Sequence, residues 1–134
     1  MRVTGTFEVS DLTPAQIPAP DIKTGLPVGV ATMRKRFAGG VSGRSATIFT
    51  AAYDPATETG TYVAMESFEG RLDDHEGTFN FAHSATTQGT GRAAEHLAIV
   101  PASGTGALAG IHGTGGLTLD ADGTHRIWFD YNLG

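Results

Sequence analysis

Glu66 and His83 are the two side chains of this sequence that best fit acid–base chemistry. Glu66 lies in the run 61–72 and His83 in the run 77–86, and both runs are rich in β-branched and aromatic residues. Such runs predict β-strands, in which successive side chains alternate between the two faces. A short polar segment, Asp73-Asp74-His75-Glu76, separates the two runs and predicts a hairpin turn.

The register of this predicted hairpin decides whether the two groups meet. With Asp74 and His75 as the two central residues of the turn, antiparallel pairing sets Glu66 directly opposite His83. Opposed side chains in an antiparallel pair have Cβ atoms ~5 Å apart. We therefore expect the carboxyl group and the imidazole to lie in contact on one face of the sheet.

A carboxylate beside an imidazole is suited to proton transfer. The carboxylate holds the imidazole in one tautomer and raises its basicity, so the pair could act as base and acid on an enone, an epoxide or a hemiacetal. Burial would raise the pKa of Glu66, while a protonated His83 would lower it. The alternative interpretation is structural, because buried polar groups are normally hydrogen-bonded to one another. Both interpretations stay open at this point.

Four aromatic side chains are predicted to share the face of this acid–base pair and to line a ligand pocket. The same register sets Phe68 opposite Phe81. The four predicted ligand-binding residues are Tyr62, Phe68, Phe79 and Phe81. An apolar pocket with a few convergent polar groups is the usual form of a small-molecule site.

The spacing of turn residues predicts an all-β fold with eight antiparallel strands. Nineteen glycines among 134 residues favour turns over long helices. The predicted strands are Arg2–Val9, Val28–Phe37, Val41–Tyr53, Thr61–Leu72, Gly77–Thr86, Arg92–Val100, Thr114–Leu119 and Thr124–Leu133. Four of the six prolines lie between the first two strands and predict an irregular segment that could cover one end. Residues 1–134 are expected to form one domain, a closed β-barrel or a sandwich, with room in a barrel for one small ligand.

Composition and charge exclude several classes of protein. Fourteen acidic residues against nine basic ones give a net charge of −5, so neither nucleic acid nor an anionic membrane is an expected partner. The absence of cysteine excludes disulfides, thiolate metal sites and cysteine nucleophiles. The N-terminal residues show no signal-peptide pattern and no 18-residue apolar stretch occurs, so the cytoplasm is the expected location.

Other motifs carry weaker indications. No His-x-His, His-Glu-x-x-His or calcium-loop pattern appears, and we expect neither a metal nor another cofactor. In the basic run at 34–36, alternation puts the two arginines on one face and Lys35 on the other. The run is either a solvated face or sends one cation inward to meet Glu66 or an acidic ligand. Trp128 is predicted to face outward and is a candidate for a subunit interface.

Three segments carry a resemblance to a known family. They are GTYVAMESFEG at 60–70, GTFNFAHS at 77–84 and VPASGTGALAGIHG at 100–113. Together they resemble the bacterial domain-of-unknown-function family 3224, over the chain from about Phe7 to the C-terminus. The resemblance implies a barrel like those of the allene oxide cyclases, lipocalin-like in general shape. It also implies self-association, since those cyclases and the related dirigent proteins form trimers. It implies no particular activity.

Two functions follow from these observations. The first is a cofactor-free enzyme of isomerase, cyclase or hydro-lyase type, in which Glu66 and His83 move protons on an apolar small molecule in the barrel lumen. The second is a non-catalytic protein that binds a small hydrophobic ligand in the same lumen. A barrel filled by its own side chains, with a role in protein contact, is a third possibility. A homo-oligomer is expected in each case.

Overall fold

The computed structural model describes all 134 residues, Met1–Gly134, and shows eight antiparallel strands in one closed ring. Each strand pairs with the next along the chain, and β1 also pairs with β8. The strands are β1 (Arg2–Ala15), β2 (Val28–Gly39), β3 (Val41–Asp54), β4 (Thr59–Leu72), β5 (His75–Gln88), β6 (Gly91–Ile99), β7 (His112–Leu119) and β8 (His125–Asn132). The predicted all-β class with eight antiparallel strands is confirmed. The only helical segment is a 3-10 turn at Gly106–Leu108, and no helix has the length and apolarity to cross a membrane.

The alternating strand directions give the ring two different ends. We call the end with the β2–β3 and β4–β5 turns and the segment 100–111 the packed end. We call the end with the segment 16–27 and the β3–β4, β5–β6 and β7–β8 turns the polar end. The two ends differ in what fills the ring, and this difference places the functional groups.

Aromatic and aliphatic side chains fill the packed end. The rings of Phe68 and Phe79 lie 5.1 Å apart, and those of Phe81 and Phe129 lie 5.2 Å apart. Leu108 and Ile111, from the segment between β6 and β7, are fully enclosed in the same cluster. Burying each such side chain contributes about 1.5–3 kcal/mol, so this cluster is a main source of stability for the ring.

The β4–β5 turn differs from the predicted one. Asp73 and Asp74 are its central residues, and Leu72 pairs with His75. Asp73 adopts a φ of 52°, in the left-handed region that aspartate tolerates better than most residues. The prediction that placed Asp74 and His75 at the centre of the turn was therefore wrong, because the turn lies one residue earlier in the chain.

This error shifts the register by two residues. Glu66 lies opposite Phe81 and not opposite His83, which pairs with Ala64. Because side chains alternate with a period of two, an even shift leaves every side chain on its predicted face. Glu66 and His83 therefore still point into the ring, as diagonal instead of direct neighbours.

β1 is longer than predicted, because it continues to Ala15 through Pro14. Pro14 lies on the outer part of β1, where that strand pairs with β2 alone, so its missing N–H removes no bond from the closed ring. This part of β1 pairs with the start of β2, and the start of β2 pairs in turn with β3.

The ring is weakest between β6 and β7. These strands pair at a single position, Ala98 with Thr114, whereas β7 and β8 pair along eight positions. Toward the polar end the two strands separate and leave a crevice of about 240 Å³ in the wall. This crevice reaches His83 from the outside.

Candidate functional site

A buried carboxylate is the centre of the polar cluster inside the ring. Glu66 has no exposed surface. Lys35 donates from Nζ to Glu66 Oε2 at 2.6 Å, and Ser45 donates from Oγ to Oε1 at 2.7 Å. His83 Nε2 lies 2.5 Å from Oε2. Both carboxylate oxygens thus have partners, which offsets much of the cost of removing the charge from water.

Strand alternation brings these groups together. Lys35 pairs with Ser45 across β2 and β3, and both side chains point inward. Arg34 and Arg36, on either side of Lys35, are exposed. Of the two interpretations of the basic run, the one that sends a cation inward to meet Glu66 is therefore observed.

The electrostatics of the cluster favour a charged Glu66 and a neutral His83. Burial alone raises the pKa of Glu66, but the hydrogen bond with His83 and the charge of Lys35 outweigh it and lower that pKa to about 2. Burial lowers the pKa of His83, and the nearby charge of Lys35 adds to this effect against the opposing hydrogen bond with Glu66. At neutral pH the carboxylate is ionised and the imidazole is not.

The hydrogen bonds of Tyr62 and Arg92 fix the tautomer of His83. Tyr62 Oη lies 3.0 Å from His83 Nδ1, and Arg92 donates from Nη2 to Tyr62 Oη at 2.8 Å. Arginine only donates, so the tyrosine oxygen accepts from Arg92 and its own proton is available for Nδ1. Nε2 then carries the histidine proton and donates it to Glu66. The result is a directed chain of four residues: Arg92, Tyr62, His83 and Glu66.

Tyr62 keeps its proton to a higher pH than an ordinary tyrosine. Burial raises the pKa of its phenol, and the nearby charge of Arg92 only partly opposes that effect. Tyr62 is held in place by stacking on Phe49 at 5.1 Å and by an edge contact with the His83 ring at 5.4 Å.

A β-bulge brings Arg92 to the site. The β5–β6 register changes by one residue between Ser84 and Thr86, and Ala94 adopts a φ of 51°. An odd shift moves the side chains beyond it to the opposite face. Arg92 therefore turns toward the interior, and it also donates a hydrogen bond to Glu95, an exposed residue, at 2.6 Å. Sequence reasoning missed Arg92, because simple alternation from Leu97 places it on the outer face.

A cavity of about 230 Å³ opens beside this chain at the polar end of the ring. Its apolar lining comes from four strands, and its polar lining consists of hydroxyl, ammonium, guanidinium and imidazole groups. The apolar residues are Phe7, Val9, Met33, Phe49, Leu117 and Leu119, and the polar ones are Lys35, Thr47, Tyr62, His83, Arg92, Thr118 and His125. The cavity and the crevice between β6 and β7 share four of these residues, so they meet at His83 and Arg92.

The structure brings together part of the predicted site. Glu66 and His83 are in contact, and Tyr62 lines the cavity next to them. The three predicted phenylalanines lie in the packed end, at most 2% exposed, and line none of the main cavities; they are Phe68, Phe79 and Phe81. Their role in ligand binding stays a prediction. One of them, Phe81, stacks on the His83 ring at 5.8 Å and so supports it from below.

Ser45 and Thr47 are further members of the site that sequence reasoning missed. Both are buried, and Thr47 Oγ1 is the only buried side-chain oxygen or nitrogen without a hydrogen-bond partner. The signal that could have found them is the alternation of β3, once Lys35 is placed on the inner face opposite Ser45.

No three His, Asp or Glu side chains are grouped closely enough to hold a metal ion.

A larger hollow, of about 610 Å³, lies within the segment 15–30 outside the ring. Lys23 is the only ionisable residue in its lining, which is otherwise mainly apolar. It holds no pair of groups able to exchange a proton, so we place the candidate site at the polar end of the ring.

Comparison with known proteins agrees with this fold. The chain is similar to a crystal structure of a protein with unknown function from the DUF3224 family from Shewanella oneidensis MR-1, with 30% identity and a TM-score of 0.85. The alignment covers 100% of this chain and 97% of the other. No curated protein matches the chain significantly. Residues 3–131 match the family model described as "Protein of unknown function (DUF3224)", which confirms the resemblance seen in the sequence: the chain belongs to the DUF3224 family.

Proposed function

We propose that this protein is a cofactor-free enzyme of isomerase or cyclase type that moves a proton on a small, largely apolar molecule held at the polar end of the ring. One observation carries the proposal: a tyrosine hydroxyl at a cavity is hydrogen-bonded to a buried histidine, which is itself held by a buried carboxylate. Only Tyr62 and His83 of this triad line the cavity. Glu66 lies behind them and acts as a positioning residue.

The chain of hydrogen bonds accounts for every proton. Tyr62 Oη accepts a proton from a carbon of the substrate while its own proton passes to His83 Nδ1. The imidazolium so formed is stabilised by the carboxylate of Glu66, to which it already donates through Nε2. In the second half of the reaction, His83 Nδ1 returns its proton to Tyr62 Oη, and Tyr62 gives a proton to a different atom of the substrate. The substrate is then isomerised, and the protein is back in its starting state. Lys35 and Arg92 line the same cavity and can stabilise the negative charge that develops on a substrate oxygen.

A non-catalytic ligand-binding protein is the second candidate. It is favoured by the fact that both oxygens of Glu66 and both ring nitrogens of His83 already have protein partners. A cluster whose polar groups are all paired is stable without any catalytic role, because it fills the ring with hydrogen-bonded groups.

Deuterium incorporation from D₂O separates the two candidates. We would incubate the protein with small enolisable ketones and 2-oxo acids and follow loss of the C–H signal by NMR. We expect exchange above the uncatalysed rate, lowered by about 10²–10⁴-fold in His83→Gln and in Tyr62→Phe, the usual contribution of general acid–base catalysis. The exposed Tyr53 supplies a matched control, because Tyr53→Phe should keep the wild-type rate. A protein that binds these compounds without exchange, or a His83→Gln variant that exchanges normally, contradicts the proposal.

We also propose that the ring is a barrel of the allene oxide cyclase type and that the chain forms a homo-oligomer. The first proposal is supported by the continuous pairing from β1 round to β8. The second is supported by an apolar patch on the outer wall, where Ile48 pairs with Met65 and Val63 lies beside them. These three side chains are 46–61% exposed.

A further inference from the structure

The wall of the 230 Å³ cavity is rich in hydrogen-bond donors that the protein itself does not use. Lys35 has three N–H donors, and only one of them has an acceptor, Glu66. Arg92 has five, of which two are used, by Glu95 and by Tyr62. The Lys35 side chain is 5% exposed and that of Arg92 is 25% exposed. Unused donors that are shielded from water in this way favour a ligand that accepts hydrogen bonds.

No carboxylate lines this cavity, although acidic residues outnumber basic ones in the chain. Glu66 lies behind Lys35 and His83 with no exposed surface, and Glu95 lines the outer crevice instead. The two carboxylates hold the cations in place from the side away from the cavity. The donors thus face the cavity and the acceptors lie behind them, which is the arrangement expected around a bound anion.

Thr47 adds an independent observation. It lines the same cavity at 2% exposure, and its hydroxyl is the only buried side-chain polar atom of the protein without a partner. Its hydroxyl is therefore available to hydrogen-bond a molecule in the cavity.

The size and the remaining lining limit what the ligand can be. A water molecule takes about 30 Å³ in the liquid, so 230 Å³ holds a molecule of roughly eight non-hydrogen atoms. The other side of the cavity is apolar, with Phe7, Phe49 and Leu117 among its residues. The ligand therefore needs one anionic group and a short apolar body.

We propose that the polar end of the ring binds a small monocarboxylate, with the carboxylate group against Lys35 and Arg92 and the apolar body against the side of Phe49 and Leu117. The proposal rests on the proposed function in that it names the class of substrate for the same site. It also holds if the site binds without turnover, because recognition of the anion uses Lys35 and Arg92, whereas proton transfer uses Tyr62 and His83.

The test compares carboxylates with neutral amides of the same shape. Benzoate, phenylacetate and hexanoate would each be titrated into the labelled protein beside the matching amide, and affinity followed by NMR shifts of His83 and its neighbours. We expect each carboxylate to bind at least about tenfold tighter than its amide, a difference of about 1.4 kcal/mol. Arg92→Gln should reduce that ratio to below about threefold, since it removes one charge without emptying the core.

Matched variants keep the result interpretable. Arg36→Gln removes a cation from the outer wall of β2 and should leave the ratio unchanged. Thr47→Val, nearly isosteric, should weaken carboxylate binding less than Arg92→Gln does. Equal binding of acid and amide, no binding of any of the three acids, or a full ratio in Arg92→Gln would overturn the proposal.

The two proposals fail in different ways. His83→Gln should keep the preference for benzoate over benzamide while it loses deuterium exchange. Normal exchange in that variant would remove the catalytic proposal and leave the carboxylate site intact. Deuterium exchange on neutral ketones, without any preference for carboxylates over amides, would remove the carboxylate site and leave the catalytic proposal intact.

Discussion

At the scale of single residues, the fold depends on keeping one charge buried. Glu66 is the only carboxylate among the buried residues, and its charge is balanced by Lys35, which is 6% exposed. A bare carboxylate at such a site would cost several kcal/mol. Here Lys35, Ser45 and His83 each donate a hydrogen bond to it, so the charged form is the stable one. The same contacts hold His83 in one orientation at the cavity.

Glu66→Gln should destabilise the protein strongly. The substitution leaves Lys35 buried without a counter-charge, and breaking a buried ion pair from one side typically costs about 3–5 kcal/mol. Urea unfolding at pH 7 measures the change. Glu69→Gln is the matched control, because Glu69 lies on the outer face of the same strand in an exposed ion pair with Arg44. This substitution should lower the free energy of unfolding by less than about 1 kcal/mol. Equal losses in both variants would show that the buried pair carries no special weight.

Stability should fall as the solution is made acidic, in two overlapping steps. The pKa of His83 is lowered from 6.5, so the unfolded chain binds its proton first and stability declines as pH falls below 6.5. The pKa of Glu66 is lowered from 4.5 to about 2, so a further loss follows between those two values. Both groups stabilise the fold at higher pH. Urea midpoints from pH 8 to pH 2 test this, and we expect His83→Gln to lack the upper step and Glu66→Gln the lower one. Curves of the same shape for all three proteins would contradict these assignments.

At the scale of elements, two features of strand pairing decide which residues reach the site. An even shift in the β4–β5 register kept Glu66 and His83 on the inner face, so their contact was predictable even though their exact pairing was not. An odd shift in the β5–β6 register reversed the face of Arg92. Nothing in local alternation indicates a bulge at Ala94, because no glycine or proline occupies the position with a φ of 51°. The inward positions of the aromatic residues, Glu66 and His83 were therefore predictable from the sequence. The inward position of Arg92 was not.

The gap between β6 and β7 should make the polar-end half of β6 mobile. Residues 91–96 hydrogen-bond to β5 alone, whereas the strands β4 and β5 are paired on both sides. Amide hydrogen exchange followed by NMR should show faster exchange at Ala93–His96 than in the middle of β4 and β5, because segments with fewer contacts open more easily. Protection in β6 equal to that in β5 would contradict the idea that the crevice gives access to His83.

At the scale of the whole molecule, the ring is divided into a packed end and a polar end. The predicted ligand lumen was expected to run through the aromatic residues, but Phe68, Phe79 and Phe81 pack against one another and against Phe129. Sequence alone cannot separate an aromatic pocket from an aromatic core, since both require large apolar side chains on the inner face. The pocket and the core differ in how far the aromatic residues lie from the open end of the ring. That distance depends on pairing between strands that are distant in the sequence.

The proposed homo-oligomer is a property of the same scale. Ile48, Val63 and Met65 form one apolar patch on the outer wall, and burying it would contribute favourable free energy to association. Sedimentation velocity at micromolar concentration should show a species larger than the 13.9 kDa chain, reduced in Ile48→Glu. A wild-type protein that sediments as a monomer would contradict the proposal.

The protonation state of His83 tests the central claim most directly, because proton transfer needs a neutral imidazole with its free lone pair toward Tyr62. Long-range ¹H–¹⁵N correlation spectra at pH 7 should show His83 as the neutral Nε2–H tautomer, and it should gain a proton only below pH 6.5. Tyr62→Phe should change the Nδ1 shift and leave Nε2 protonated. A doubly protonated His83 at pH 7, or a proton on Nδ1 instead of Nε2, would contradict the account.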